Sequence, residues 1–199
     1  AWRRAQGMAD DRPVIGFLGR LVMEKGLDVF ADTIDQLRRR GVAHDVLVVG
    51  EGPARDWFEN RLPHAHFVGF QGGADLARAV ASMDMLFNPS VTETFGNVTL
   101  EAMACGLPVV AAKATGSQSL VADNRSGRLV APGAIGAFAD ALGDYCSDPA
   151  LRQAHGAAGE ARSRDFSWDA INQTVADNYL RLSARRQRGV GPVTDAAIR

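Results

Sequence analysis

The chain has 199 residues, long enough to bury the core of one domain. Hydrophobic residues make up 46% and charged residues 23%, which is ordinary for a globular fold. A formal net charge of -1 removes any global electrostatic reason to expect nucleic-acid or membrane binding.

Two cysteines, Cys105 and Cys146, give no disulfide framework and suit a reducing compartment. Cys105 reads as a buried small residue. No run is long and apolar enough for a membrane span, and no signal-peptide pattern is present. The first residue is alanine and residues 1–11, AWRRAQGMADD, lack periodicity. They read as a linker remnant on a fragment of a longer chain. Residues 187–199 read as a flexible tail.

Between these ends the pattern alternates. Pro13–Gly19 is a continuous apolar run, as expected of a parallel strand buried on both faces. The next segment carries Leu27, Phe30, Ala31, Ile34 and Leu37 on one helical stripe, closed by arginines and Gly41. His44–Gly50 is a second strand, followed by a helix opened by Pro53. Residues 65–70 (AHFVGF) are a third strand, 73–83 a helix, and 84–89 a fourth strand. A helix from about Thr94–Gly96 to Ala104 ends at Gly106 with Pro108 just beyond. Residues 108–112 and 126–132 are strands on either side of a short helix at Ser117–Ala122. From Gly133 to Arg186 the chain is helical with short breaks, including a helix capped by Ser167 with Trp168, Ile171, Val175, Tyr179 and Leu182 on one face. The expected fold class is therefore α/β: a Rossmann-like, doubly wound parallel sheet of about six strands with extra C-terminal helices. In such sheets ligands bind beyond the carboxyl ends of the strands.

Glu93 and Glu101 stand eight positions apart in ETFGNVTLEAMACGLPVV. Glu93 falls in the loop ahead of the helix and Glu101 on its second turn. The free N–H groups of the helix start lie between them. An anion-seeking helix end beside two hydroxyl-seeking carboxylates suits a ligand with both phosphates and sugars. Arg20 and Lys25 follow the first strand; Arg offers a fork for phosphate oxygens and Lys a point charge. The plainer alternative is a salt-bridged arginine and a solvated lysine.

These residues carry a resemblance. Glu93-x7-Glu101, with GRLVMEKGLD at Gly19–Asp28, VVGEGP at Val48–Pro53, HFVGF at His66–Phe70 and TGSQSLV at Thr115–Val121, resembles the retaining GT-B glycosyltransferases of family 4, or group 1. The similarity covers roughly residues 13–186 in the family's order. It implies a nucleotide-sugar donor-binding domain over 12–186, one half of a GT-B fold whose N-terminal acceptor half is missing. Gly19, Arg20 and Lys25 would then form the diphosphate loop. Glu93 would contact the donor sugar, and Glu101 the ribose hydroxyls. Backbone groups from Thr94 through Phe95, Gly96 and Asn97 to Val98 would hold the sugar or distal phosphate. Val68 and Gly69 would read the base. Glu51 either packs beneath the ribose or belongs to a plain turn.

The catalytic candidates are Glu93, Arg20 and Lys25. No cofactor or metal is expected, since no Asp-x-Asp pair or metal-spaced histidines occur. Partners would be the donor and the missing acceptor domain, with no nucleic acid. A cytoplasmic location follows, with membrane contact through the absent half. Ser119 stands where the family often has an acidic residue, a departure that puts a family role there in doubt. The alternatives are a GT-B-like nucleotide-sugar epimerase and a non-catalytic nucleotide-binding module.

Overall fold

The computed structural model describes residues 2–187, and the chain divides into two compact units, Ala1–Ser163 and Arg164–Arg199. That division falls inside the domain expected over 12–186. The expected tail lies, beyond Gln187, outside the described residues.

The first unit opens with a short helix α1 (Trp2–Ala5) and strand β1 (Val14–Leu18). A 3-10 turn at Met23–Lys25 then leads into α2 (Leu27–Arg39), followed by β2 (Asp45–Val49) and α3 (Arg55–Arg61). Next come β3 (His66–Phe67), α4 (Gly73–Val80), β4 (Met85–Asn88) and α5 (Asn97–Ala104). The unit finishes with β5 (Val109–Ala112), α6 (Thr115–Leu120), β6 (Gly127–Val130), α7 (Ile135–Ser147) and α8 (Pro149–Ser163). In the second unit a 3-10 turn, Arg164–Phe166, precedes α9 (Trp168–Gln187). The Ser167 hydroxyl accepts the Ala170 N–H at 3.2 Å, the cap that the sequence suggests. On α9, Val175, Tyr179 and Leu182 meet solvent. No helix of the described residues is long and apolar enough to cross a membrane.

All six strands are parallel, in the order β3-β2-β1-β4-β5-β6. The chain winds outward from β1 to β3, then returns to place β4 on the other side of β1. The switch point of the sheet therefore lies between β1 and β4. The apolar runs read from the sequence are strands with almost no exposure, as in Met85–Asn88 and Val109–Ala112. The stripe on α2 is fully buried at Leu27, Phe30, Ala31, Ile34 and Leu37. Phe17, Phe30 and Phe58 meet edge to face with centroids 5.5–5.6 Å apart. Phe30 also stacks on Phe87 at 4.9 Å, so one aromatic cluster ties β1, α2, α3 and β4 together.

The differences from the sequence expectation are local. The third strand keeps only His66–Phe67 of residues 65–70, because Gly69 turns the chain at φ 71°. The short helix after β5 starts at Thr115, directly after the extended Ala114, rather than at Ser117. Of the residues expected as a linker remnant, those from Trp2 onward are not left apart from the fold: Met8 is buried, and Arg3 is bound to Asp84 at 2.9 Å. The same Asp84 carboxylate accepts the Val14 N–H at 2.8 Å at the start of β1.

The exits of the first three strands are stitched by glycines. Gly19 donates its N–H to Val49 O at 3.0 Å, and Gly50 donates to Gly69 O at 2.9 Å. A Cβ on Gly50 would stand 1.8 Å from the Gly19 carbonyl oxygen, and its φ of 141° is strained for any other residue. Gly50→Ala is expected to lower unfolding free energy by about 2–4 kcal/mol in urea denaturation. An unchanged midpoint would show that these exits are not locked together.

Candidate functional site

The β1 exit is joined to β2 on one side and to β4 on the other. Toward β2, Leu21 donates its N–H to Glu51 O at 2.9 Å and accepts from Ala54 N–H at 3.0 Å. Toward β4, the Thr92 hydroxyl donates to Glu24 O at 3.2 Å. Gly26 lies so close to Pro89 that a Cβ would sit 3.2 Å from its carbonyl oxygen. The β4 exit is fixed in turn: Asn88 donates to the Thr99 hydroxyl at 3.2 Å and accepts the Ser90 N–H at the same distance. From the β5 side, Gly116 donates its N–H to Glu93 O at 3.1 Å. Three strand exits thus frame the loop that carries Glu93.

Within this frame Lys25 Nζ lies 2.6 Å from Glu93 Oε1, with 26% and 12% of the two side chains exposed. Such a pair is screened less than the exposed ion pairs that contribute about 0.2–1 kcal/mol. Arg20 behaves differently. It is paired with Glu24 at 3.1 Å and is 68% exposed, so it is available to a ligand with little reorganisation. Two of the four charged residues singled out in the sequence are in direct contact, and a third stands on the same loop.

Glu101 sits on α5, about 6 Å along the helix axis from Asn97 at 1.5 Å per residue. Its side chain leans back toward the helix start, as helical side chains do. Gly96 caps the helix at φ 94° and is itself buried, while Thr94 and Phe95 are exposed on the preceding loop. The N–H groups of Asn97 and Val98 fall in the first turn, where no intrahelical acceptor exists. The Glu101 carbonyl accepts the Cys105 N–H at 3.1 Å, and partial desolvation of its carboxyl raises its pKa above the ordinary 4.5. One turn further, Cys105 is exposed rather than buried as expected; partial desolvation of the thiol, and then the Glu101 charge, raise its pKa. That is the opposite of an activated thiolate.

Beside Arg20 an open, mostly apolar pocket of about 420 Å³ is lined by Leu18, Gly19, Gly50, Glu51, Phe70 and Gln71 among others. Of the base-reading candidates, Val68 donates its N–H to Val48 O at 3.1 Å and accepts Gln71 Nε2 at 2.7 Å, while Gly69 O accepts Gly50 N–H. Phe70, Gln71 and Leu76, which follow them, line the pocket. Phe70, 77% exposed, is the signal that sequence reading passed over: a large aromatic placed directly after a strand-exit glycine. Glu51 forms an ion pair with Arg55 and lies against Gly69, whose added Cβ would be 2.8 Å from its Oε1. Its carboxylate therefore faces the pocket rim, while its backbone closes the turn to Leu21.

The sequence matches glycosyl transferases group 1 over residues 12–148. It is 32% identical to the GDP-mannose-dependent alpha-mannosyltransferase of Mycobacterium tuberculosis over 184 residues, 92% of this chain and 47% of that protein. HepE of Anabaena, solved in complex with UDP-glucose, superposes with a TM-score of 0.77 at 27% identity, over 90% of this chain and 51% of that one. The C-terminal domain of the group 1 protein LpcC from Francisella tularensis superposes with a TM-score of 0.67 at 26% identity, over 80% of this chain and 90% of that domain. The chain spans about half the length of the curated relatives it matches. With strand order, loop motifs and the matched span in agreement, the chain belongs to the glycosyl transferases group 1 family.

Proposed function

We propose that this chain is the donor-binding, C-terminal half of a retaining family 4 glycosyltransferase that moves a hexosyl group from a nucleotide-diphosphate sugar to an acceptor hydroxyl. The observation that carries the reading is the meeting of Lys25 and Glu93 at the sheet's switch point, between an apolar pocket and a helix start. The pocket's size and apolar walls suit a nucleobase. Arg20, Lys25 and the Asn97–Val98 amides suit the diphosphate. Glu101 suits the ribose diol and Glu93 the sugar hydroxyls. The near-full overlap with the LpcC C-terminal domain and the half-length coverage of relatives support the assignment to one half of a larger enzyme.

In this reading the bond from the anomeric carbon to the diphosphate breaks as the acceptor oxygen attacks from the same face. The leaving phosphate oxygen takes the acceptor's proton. Arg20 and Lys25 stabilise the charge that grows on the diphosphate, the kind of electrostatic contribution that commonly dominates such steps. These positive groups take the place a divalent cation would otherwise fill, so the reaction is proposed to be metal-independent. The acceptor site belongs to the other half, and any membrane contact with it. The proposed setting is the cytoplasm, in the building of envelope polysaccharide or glycolipid.

Isothermal titration with UDP, GDP, UDP-glucose and GDP-mannose tests the reading. Glu101→Ala is expected to weaken the tightest of these about ten- to a hundredfold, the value of a hydrogen bond to a charged acceptor. Unchanged affinity would remove Glu101 from the site. Stability should move the other way. A carboxyl whose folded pKa is raised favours the fold when protonated and loses that contribution as pH rises through the folded value. Ionised Glu101 therefore costs stability at neutral pH. Glu101→Gln is expected to raise the melting temperature at pH 7, with the gap closing as pH falls below the ordinary 4.5. A gap that widened on acidification would contradict the sign of the shift.

A further inference from the structure

At the edge of the sheet opposite the donor site, we infer a separate binding site for a soluble phosphate-type dianion, formed by Arg12, Arg38, His44 and His64. The four side chains line one polar cavity of about 360 Å³. They come from four segments. Arg12 stands two residues before β1, His44 one before β2 and His64 two before β3, while Arg38 is in the last turn of α2. Because β3, β2 and β1 are neighbours in that order, the parallel sheet gathers their three entrances in one place. With five residues in β1, the two edges stand about 15 Å apart.

The cavity lining carries more positive than negative charge. Asp45 is its one carboxylate, and its Oδ2 already accepts the Ala9 N–H at 3.0 Å. Neighbouring arginines are committed: Arg40 is paired with Asp140 at 2.6 Å and Arg61 with Asp32 at 2.7 Å. Among the described residues, Arg12 and Arg38 form no ion pair. A cation at the C-terminal end of α2 also suits the helix dipole, but that accounts for Arg38 alone. Two guanidinium forks are suited to phosphate oxygens. No exposed large apolar side chain lines the cavity to anchor it on a membrane, which favours a soluble ligand.

His44 is the second sign. Its Nδ1 donates to Val42 O at 2.8 Å, since a carbonyl can only accept, and Nε2 is left to carry any second proton. That atom is buried and has no partner among the described residues. Burial is the main cause that lowers the His44 pKa below 6.5; Arg38 and Arg12 add to the fall, while the Val42 bond and Asp45 oppose it. A dianion beside the guanidiniums cancels their effect on the imidazole, and it favours protonated His64 as well. Anion and proton therefore bind together, and affinity rises as pH falls. In the donor-site reading a nucleoside diphosphate fills the other edge first, since base, ribose and diphosphate are all held there.

The test probe is sulfate, which stays doubly charged from about pH 8 to about pH 5 while histidine titrates. It is added to the isotope-labelled whole chain, with chloride as the control for ionic strength. Saturable amide shifts are expected at Arg12, Arg38, residues 41–45 and His64, with affinity rising about threefold or more on acidification. Arg12→Gln and Arg38→Gln should each weaken binding about three- to tenfold, the scale of one charge-assisted hydrogen bond in a partly exposed place. Neither side chain is buried, so melting curves in chloride should be unchanged. Shifts confined to residues 19–25, shifts that chloride reproduces, or an affinity indifferent to both substitutions overturn the inference, and the donor-site reading stands in each case. An affinity flat in pH removes His44 and His64 from the site. Inorganic phosphate should compete with sulfate. Sedimentation with vesicles of phosphatidic acid in phosphatidylcholine, lost in both variants, would overturn the soluble ligand in favour of a lipid headgroup.

Discussion

A parallel sheet delivers the carboxyl ends of all its strands to one edge, and at this edge the chain closes around the contact of Lys25 with Glu93. The two residues are 68 positions apart in the chain and meet only because β4 returns to lie beside β1. Everything else at the rim is arranged about that meeting. The glycine-stitched exits of β1, β2 and β3 wall the pocket on one side. The exits of β4 and β5 hold the Glu93 loop and the start of α5 on the other. Small residues are required here because the backbones approach to within contact distance, as Gly50 does to Gly19.

The charged residues of the rim differ in exposure and in partners. Arg20 is largely exposed and held only by a neighbouring glutamate, a pairing of low strength that a phosphate readily replaces. Lys25 is enclosed and already committed to a carboxylate. In the proposed reading the first attracts the donor and the second responds to it. Glu101 carries a desolvation cost, which in the proposed reading suits a group placed for a ligand rather than for stability.

Much of the fold was legible because a doubly covered parallel sheet leaves strong marks: continuous apolar runs, an apolar helical stripe, and turns rich in glycine. Phe30, Ile34 and Leu37 could be placed on the buried face of α2 from spacing alone. Several features lay beyond that reach. Strand order is a non-local property, so the neighbouring of β1 and β4, and with it the Lys25–Glu93 contact, has no signal in either segment alone. The end of β3 depends on Gly69 taking a left-handed conformation and on a side chain, Gln71, bonding to the Val68 carbonyl. Residues 2–11 lack periodicity because they attach through individual contacts of Arg3 and Met8 instead of through a repeating face. Cys105 was misplaced for a related reason: near a helix end one residue of phase decides between core and solvent.

The most direct test of the central claim is an amide nitrogen–proton correlation map of the labelled chain during titration with UDP and GDP. The account predicts that shifts gather at Gly19–Lys25, Glu51, Phe70–Gln71 and Gly96–Glu101, all at the carboxyl edge of the sheet. Shifts gathered instead at the opposite edge, around Arg12, Arg38, His44 and His64, which line a separate polar pocket, would contradict it.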